Sequence, residues 1–285
     1  MLLLNGKKIR DDIAKKLRER IAKFSSPPTL AIIQIGEREE SSAYIARKKA
    51  FAESIGAKVR HIALRESVSE SEVISSVQKL NEDPYIHGII IQLPIPPFLD
   101  REKLLNAVTR EKDADGLSAE SSFVPATARG IVELLEFYRL TIFGKKIAIL
   151  GRSALVGTPT AKLLRVRGAD VTVCHSETQN TREITRASDI IVVAIGKPKF
   201  VTAEYFRSDR TQAVVDVGIT AVTQKSEKQL EEEIPKRKLV GDVDFAAVKN
   251  VVAAISPVPG GVGPMTVAAL FENLVEAYKQ LVEAG

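Results

Sequence analysis

Short apolar runs alternate with helix-period segments along most of the chain, and this alternation is the strongest constraint on its fold. TLAIIQIG (29–36), KVRHIAL (58–64) and GIIIQLP (88–94) are bounded, β-branched runs of strand length. Before and between them lie helical patterns. Ile9, Ile13, Leu17 and Ile21 recur every four residues until Pro27-Pro28, SSAYIARKKAF (41–51) is amphipathic, and SESEVISSVQKLNED (69–83) reads as a further helix. After a helix at about 127–139 a second series begins: KKIAILG (145–151), a helix from Pro159 to Arg167, ADVTVCHS (169–176), a helix at 179–187, SDIIVVAIG (188–196) and QAVVDVGI (212–219). Strands alternating with helices build right-handed βαβ units and parallel sheets. The expected fold class is therefore α/β, in two lobes joined near residues 118–140, with a cleft between them and ligands beyond the carboxyl ends of the strands. The last helix, about 264–282, could pack back on the first lobe.

Composition removes several function classes. The net charge is +5, but basic residues are interleaved with acidic ones, as in KKIRDDIAKKLRER, and the chain has no tryptophan. That distribution suits anionic metabolites rather than a nucleic-acid partner. Cys174 is the single cysteine, and His61, His87 and His175 show no metal-ligand spacing, so neither disulfides nor a metal are expected. No apolar run approaches the roughly 20 residues of a membrane span, and the chain is expected to be cytoplasmic.

Several stretches have the residue types that chemistry needs. AILGRSALVGTPTAKLL (148–164) ends a strand in glycine and opens a helix, with Thr158 as its expected N-cap and Pro159 at its first position. Gly151 and Gly157 allow close backbone approach, and a helix amino terminus attracts an anion. The spacing is not that of the general dinucleotide fingerprint. Arg152 could hold a 2′-phosphate, the group that separates NADP from NAD. Ser176, in CHSETQN, could bond a phosphate or hydroxyl, whereas Glu177 would repel a phosphate, so cofactor choice stays open between NADP and NAD. In the first lobe Tyr44 and Lys48 stand four apart on one helix face, about 5–6 Å between β-carbons. Gln92 and Leu93 end a strand, Asp113 and Asp115 precede a glycine in EKDADGLS, and ISPVPGGVGPMT (255–266) is a rigid loop leading into a helix.

The ordered set SSAYIARKK, GIIIQLPIPP, EKDADGLS, ILGRSALVGTP, VCHS, GDVDF and SPVPGGVGPMT resembles the bifunctional methylenetetrahydrofolate dehydrogenase/methenyltetrahydrofolate cyclohydrolase family over nearly the whole chain. The resemblance implies a folate-binding catalytic lobe, residues 1–120 plus 262–285, beside a Rossmann-type lobe, residues 121–261, in a homodimer. It implies tetrahydrofolate derivatives as substrates and NADP as cofactor, with NAD as the alternative that Glu177 keeps open. Lys48 then matches the catalytic lysine, Tyr44 the tyrosine lying along the folate, Gln92 the amide that bonds the lysine, and Asp115 the carboxylate that holds the pterin. Leu93, Pro259, Gly260 and Gly261 fall at substrate positions, and Gly151, Arg152, Ser153, Ser176 and Ile219 at cofactor positions. The chain departs from the family pattern at Pro125-Ala126-Thr127-Ala128, where proline and cysteine often flank the threonine, and at Glu177, where many relatives are basic. A shikimate-dehydrogenase-like enzyme shares the two-lobe plan, but the folate-lobe motifs do not suit it.

Overall fold

The structure, a computed structural model, describes residues 1–223 and 237–282. Residues 224–236 and 283–285, grouped by sequence with the Rossmann-type lobe and the carboxyl-terminal segment, lie outside the described residues. The strands are β1 (Leu2–Leu3), β2 (Thr29–Ile35), β3 (Lys58–Leu64), β4 (Gly88–Ile91), β5 (Lys146–Leu150), β6 (Asp170–Cys174), β7 (Ile190–Val193), β8 (Ala213–Asp216), β9 (Thr220–Thr223), β10 (Arg237–Val240) and β11 (Ala254–Ile255). The helices are α1 (Gly6–Ile21), α2 (Glu39–Ile55), α3 (Glu70–Glu82), α4 (Arg101–Asn106), α5 (Ala126–Phe137), α6 (Gly157–Val166), α7 (Thr181–Ala187), α8 (Phe245–Val248) and α9 (Val262–Val282). No helix among the described residues is long and apolar enough to cross a membrane.

The chain divides into two compact units: residues 10–126 with the segment from Thr266, and residues 1–9 with 127–265. Residues 1–9 join the second of these units although they precede the first in the chain. The reason is main-chain pairing: Leu2 and Leu3 form a parallel edge strand on Ala254 and Ile255. Two-residue strands such as β1 and β11 carry no periodicity, which is why the sequence pattern missed them.

In the first of these units three parallel strands run in the order β3-β2-β4. Central β2 has Leu30, Ala31, Ile32 and Ile33 all fully buried, so both of its faces are covered, as a parallel sheet requires. Edge strand β3 instead alternates exposed Lys58 and Arg60 with half-buried residues. The carboxyl-terminal part of α9 closes the sheet: a β-carbon on Gly88 would come within 2.8 Å of Leu274, and Phe271 meets Phe51 at 5.3 Å between ring centroids. Farther along, Tyr278 stacks on Phe24 at 4.4 Å. Each such buried side chain contributes about 1.5–3 kcal/mol relative to exposure.

The segment before Asp115 is held from two sides. Buried Lys112 donates its ammonium protons to the carbonyls of Asn81 (2.7 Å) and Asp83 (2.8 Å), at the carboxyl end of α3, where the helix dipole favours a cation. Buried Asn273, on α9, donates to the carbonyls of Ala114 (3.0 Å) and Val124 (2.9 Å). Ser69 and Glu72 close α3 at its other end in a reciprocal capping box.

In the other unit six parallel strands run β1-β11-β8-β7-β5-β6. The chain passes from β5 to β6 on one side, then to β7 on the other, so the strand order reverses between β5 and β7. Ile191, Val193 and Val214 are fully buried in its core. Helix α6 begins at Gly157, one residue before the expected cap Thr158: the Ser153 hydroxyl accepts from the N–H groups of Val156 (3.2 Å) and Gly157 (3.3 Å) and starts the helix earlier.

Replacing Asn273 with Ala leaves two carbonyls, that of buried Ala114 and that of Val124, without these donors. We expect Asn273→Ala to lower the unfolding free energy by about 2 kcal/mol, read as a lower urea midpoint; an unchanged midpoint would show that the amide does not hold the 114–124 segment.

Candidate active site

Helix α2 buries Ile45, Phe51 and Ala52 against its sheet. Lys48 lies on the margin of that face, half-buried, so its stem is covered while its ammonium reaches the end of β4. There Lys48 Nζ donates to Gln92 Oε1 at 2.8 Å. The amide cannot turn freely, because Gln92 Nε2 donates to the Leu93 carbonyl at 2.8 Å, and the Gln92 N–H continues the ladder to the Ile33 carbonyl at 2.8 Å. The strand thus aims an acceptor at the lysine. Tyr44 stands one turn earlier on α2, half-buried, with the Arg47 guanidinium 5.5 Å from its ring centroid.

The two aspartates of EKDADGLS have different tasks. Asp113 is buried and makes the turn: its Oδ1 accepts from the Gly116 N–H (3.1 Å) and its Oδ2 from the Ser118 N–H (2.8 Å). Asp115 instead faces Lys48 electrostatically. Burial pulls Lys48 below the ordinary lysine value, with the Asp115 carboxylate opposing that shift. Burial likewise lifts Asp115 above the usual carboxylate range; Lys48 opposes this and Asp113 adds to it. A lysine whose neutral form is brought nearer to neutral pH can take up and return a proton. Lys48, Gln92 and Asp115 therefore form one cluster, with Leu93 half-buried beside it in sequence.

The remaining candidates lie in the other unit. Gly151 has φ +117°, and a β-carbon there would fall 2.1 Å from the Ala194 carbonyl oxygen; one on Gly157 would fall 1.9 Å from that of Gly151. These glycines let the protein's own backbone close up after β5. Arg152 and Ser153 follow in the exposed loop, and Ser176 is exposed after β6. Glu177 does not lie apart from the arginine: its carboxylate is 3.8 Å from Arg152 Nη2 and 3.7 Å from His175 Nδ1. Ile219 is partly exposed beyond β8. In the glycine loop, Gly260 has φ +117° and its carbonyl accepts from the Gly6 N–H at 2.9 Å, while the Gly261 N–H donates to the Pro257 carbonyl at 2.7 Å. Pro259 is exposed and follows a cis peptide bond.

Sequence reasoning passed over Asn273, although a polar residue within the apolar run of ALFENLVEAY was a usable signal. It also assigned no role to Asp216 and Asp242, two buried carboxylates at strand ends.

A parallel sheet whose strand order reverses at its centre, with an arginine after the strand beside that point, has the plan of a dinucleotide-binding enzyme, and the three-stranded unit adds a half-buried lysine beside a buried amide and a carboxylate. The sequence models of the tetrahydrofolate dehydrogenase/cyclohydrolase family match both parts, its catalytic domain over residues 4–115 and its NAD(P)-binding domain over residues 125–282. The bifunctional protein FolD of Acholeplasma laidlawii is 41% identical over 286 residues, covering 97% of this chain and 98% of the relative. A cytoplasmic C-1-tetrahydrofolate synthase of Saccharomyces cerevisiae is 40% identical, and this chain spans 32% of its length. Among solved structures, the Trypanosoma brucei methylenetetrahydrofolate dehydrogenase-cyclohydrolase, described as complexed with NADP cofactor and inhibitor, superposes with a TM-score of 0.90 at 34% identity over 98% of each chain. The chain belongs to the tetrahydrofolate dehydrogenase/cyclohydrolase family.

The electrostatics of the cluster are open to direct titration. Removing the Asp115 charge removes what holds the Lys48 ammonium up, so Asp115→Asn should lower the Lys48 pKa further below that of an ordinary lysine. NMR titration of labelled lysine side chains, with Lys48→Met to assign the signal, measures this; a Lys48 midpoint that stays put or rises would show that the two groups are not coupled.

Proposed function

We propose that Lys48 carries the proton transfers of the hydrolytic half of a two-step conversion, with Gln92, Tyr44 and Asp115 arranged around it. The enzyme oxidises 5,10-methylenetetrahydrofolate to 5,10-methenyltetrahydrofolate and then hydrolyses that product to 10-formyltetrahydrofolate. The observation that carries the reading is the 2.8 Å hydrogen bond from the Lys48 ammonium to an amide that is itself held at the end of β4.

The oxidation moves a hydride from the one-carbon bridge, and nitrogen lone pairs stabilise the cation that remains, so this step asks chiefly for orientation. Tyr44, Leu93 and Asp115, with Pro259, Gly260 and Gly261, are our candidates for holding the folate. NADP supplies the hydride acceptor when bound. The donor set after β5 fits its charge: an exposed guanidinium at Arg152 and the hydroxyl of Ser176 suit a 2′-phosphate, with Gly151, Ser153 and Ile219 completing the proposed contacts. Glu177 offsets part of the Arg152 charge, and this is the feature that favours some use of NAD.

Hydrolysis requires a proton to leave the water that attacks the methenyl carbon and a proton to reach the ring nitrogen as its bond to that carbon breaks. Lys48 in its neutral form accepts the first and, as an ammonium, returns one to the nitrogen. Gln92 Oε1 fixes where Nζ sits, and the Asp115 charge favours the ammonium once it has formed. We also read the protein as a cytoplasmic homodimer, on its resemblance to the family; sedimentation at micromolar concentration checks the dimer.

Lys48→Met should cut methenyl hydrolysis by about 10²–10⁴-fold while the protein still folds and oxidises the methylene substrate; hydrolysis at the wild-type rate would remove Lys48 from the step. Arg152→Ala should raise the KM for NADP at least about tenfold, the size of one lost charge-assisted contact, and leave that for NAD unchanged. Equal changes for both cofactors would place the 2′-phosphate elsewhere.

A further inference from the structure

Two buried aspartates that take no part in the chemistry above tie together the carboxyl ends of the six-stranded sheet. Asp216 ends β8 and Asp242 follows β10; both are buried, Asp242 completely. Asp216 Oδ1 accepts from the N–H groups of Gly218 and Asp242, each at 3.0 Å, and its Oδ2 from the N–H of Val243 at 3.0 Å. Asp242 Oδ2 accepts from the N–H groups of Ile195 and Gly196, each at 2.8 Å. Two side chains thus gather the loops at 195–196, 217–219 and 241–243.

The fit has no slack. A β-carbon on Gly218 would fall 2.2 Å from Asp242 Cγ, and one on Gly241 would fall 1.9 Å from Asp216 Oδ2. Gly196 differs: at φ +69° it has nothing within 4 Å of where a β-carbon would stand, so its outer side is open. The arrangement also has a cost, because Asp242 Oδ1 is buried with no hydrogen-bond partner among the described residues. Burial raises both carboxyls above the usual carboxylate range, Asp216 to about 7, against the pull of the N–H donors. Apolar packing alone would fill this space more cheaply; what the carboxyls add is a fixed direction for each loop.

The direction matters because of the strand order. The reversal between β5 and β7 puts the dinucleotide crevice at their carboxyl ends, and the half built on β5 and β6, carrying Arg152, is the adenosine side. The nicotinamide half then falls over β7 and β8, where the loops held by the two carboxyls begin. We propose that Asp216 and Asp242 are paired positioning residues for hydride transfer, which fix the backbone of residues 195–196 and 217–219 as the platform for the nicotinamide ring. This rests on the NADP-dependent oxidation described above.

The enzyme's two activities make the test selective, since methenyl hydrolysis uses no nicotinamide. Asp216→Asn replaces one acceptor oxygen with an amide that cannot receive the backbone N–H groups, and Gly241→Ala leaves both carboxyls in place but drives a methyl into Asp216 Oδ2. In both variants we expect kcat/KM for NADP-dependent oxidation to fall at least about tenfold, a loss of one or two oriented contacts, with hydrolysis within about twofold of wild type. Oxidation unchanged in both variants would overturn the proposal. So would a proportional fall of both activities, which would mean a merely structural role. If Asp216→Asn does not fold, Gly241→Ala and the milder Asp242→Asn decide by the same split. Absence of NADP-dependent oxidation in the wild type would instead remove the underlying reading of the enzyme.

Discussion

Parallel pairing is the constraint from which the rest of this molecule follows. A parallel strand cannot be reached by a tight turn, so each return needs a long crossover, in most cases a helix, and every strand in the sheet points the same way. All carboxyl ends, with the loops that leave them, therefore gather on one edge of each sheet. Gln92 follows β4, Arg152 follows β5, Ile195 and Gly196 follow β7, and Asp216 ends β8. These groups occupy the positions where the backbone is released from the ladder but still anchored by it: the Gln92 N–H bonds Ile33 at 2.8 Å, and its side chain meets Lys48.

A second theme is the placing of charge where water is scarce. Burial disfavours the charged forms of both Lys48 and Asp115, and each partly restores the other's. The result is a lysine set below its ordinary value by its surroundings, with the carboxylate opposing that shift. In the other unit the same cost of burial falls on Asp216 and Asp242, where backbone N–H groups rather than a cation supply the compensation. One pair sets a cation against a carboxylate, the other sets carboxylates against backbone N–H groups.

Much of the fold was legible in the chain because its signals are local. The four-residue recurrence through Ile21 and the amphipathic run from Ser69 mark helices wherever they occur. KVRHIAL was bounded correctly as β3, and the spacing of Tyr44 and Lys48 required only that α2 be a helix. Misread boundaries arose where a distant or unexpected partner decided: Ser153 rather than Thr158 opens α6, and Leu2 and Leu3 join a sheet whose other strand here, β11, lies some 250 residues away.

The sequence by itself determined the alternation of elements, the family and the lysine that could act, because hydrophobic period and motif order are properties of neighbouring residues. Tertiary structure decided which aspartate of EKDADGLS lies in the field of the lysine and which makes the turn. It also decided that Gly151 and Gly157 are filled by the protein's own carbonyls, and that Glu177 lies against Arg152 instead of standing free. The physical reason is that hydrogen bonding and burial join residues far apart in the chain, as when Asn273 holds the carbonyl of Ala114 across 159 positions, and no local pattern records such a bond.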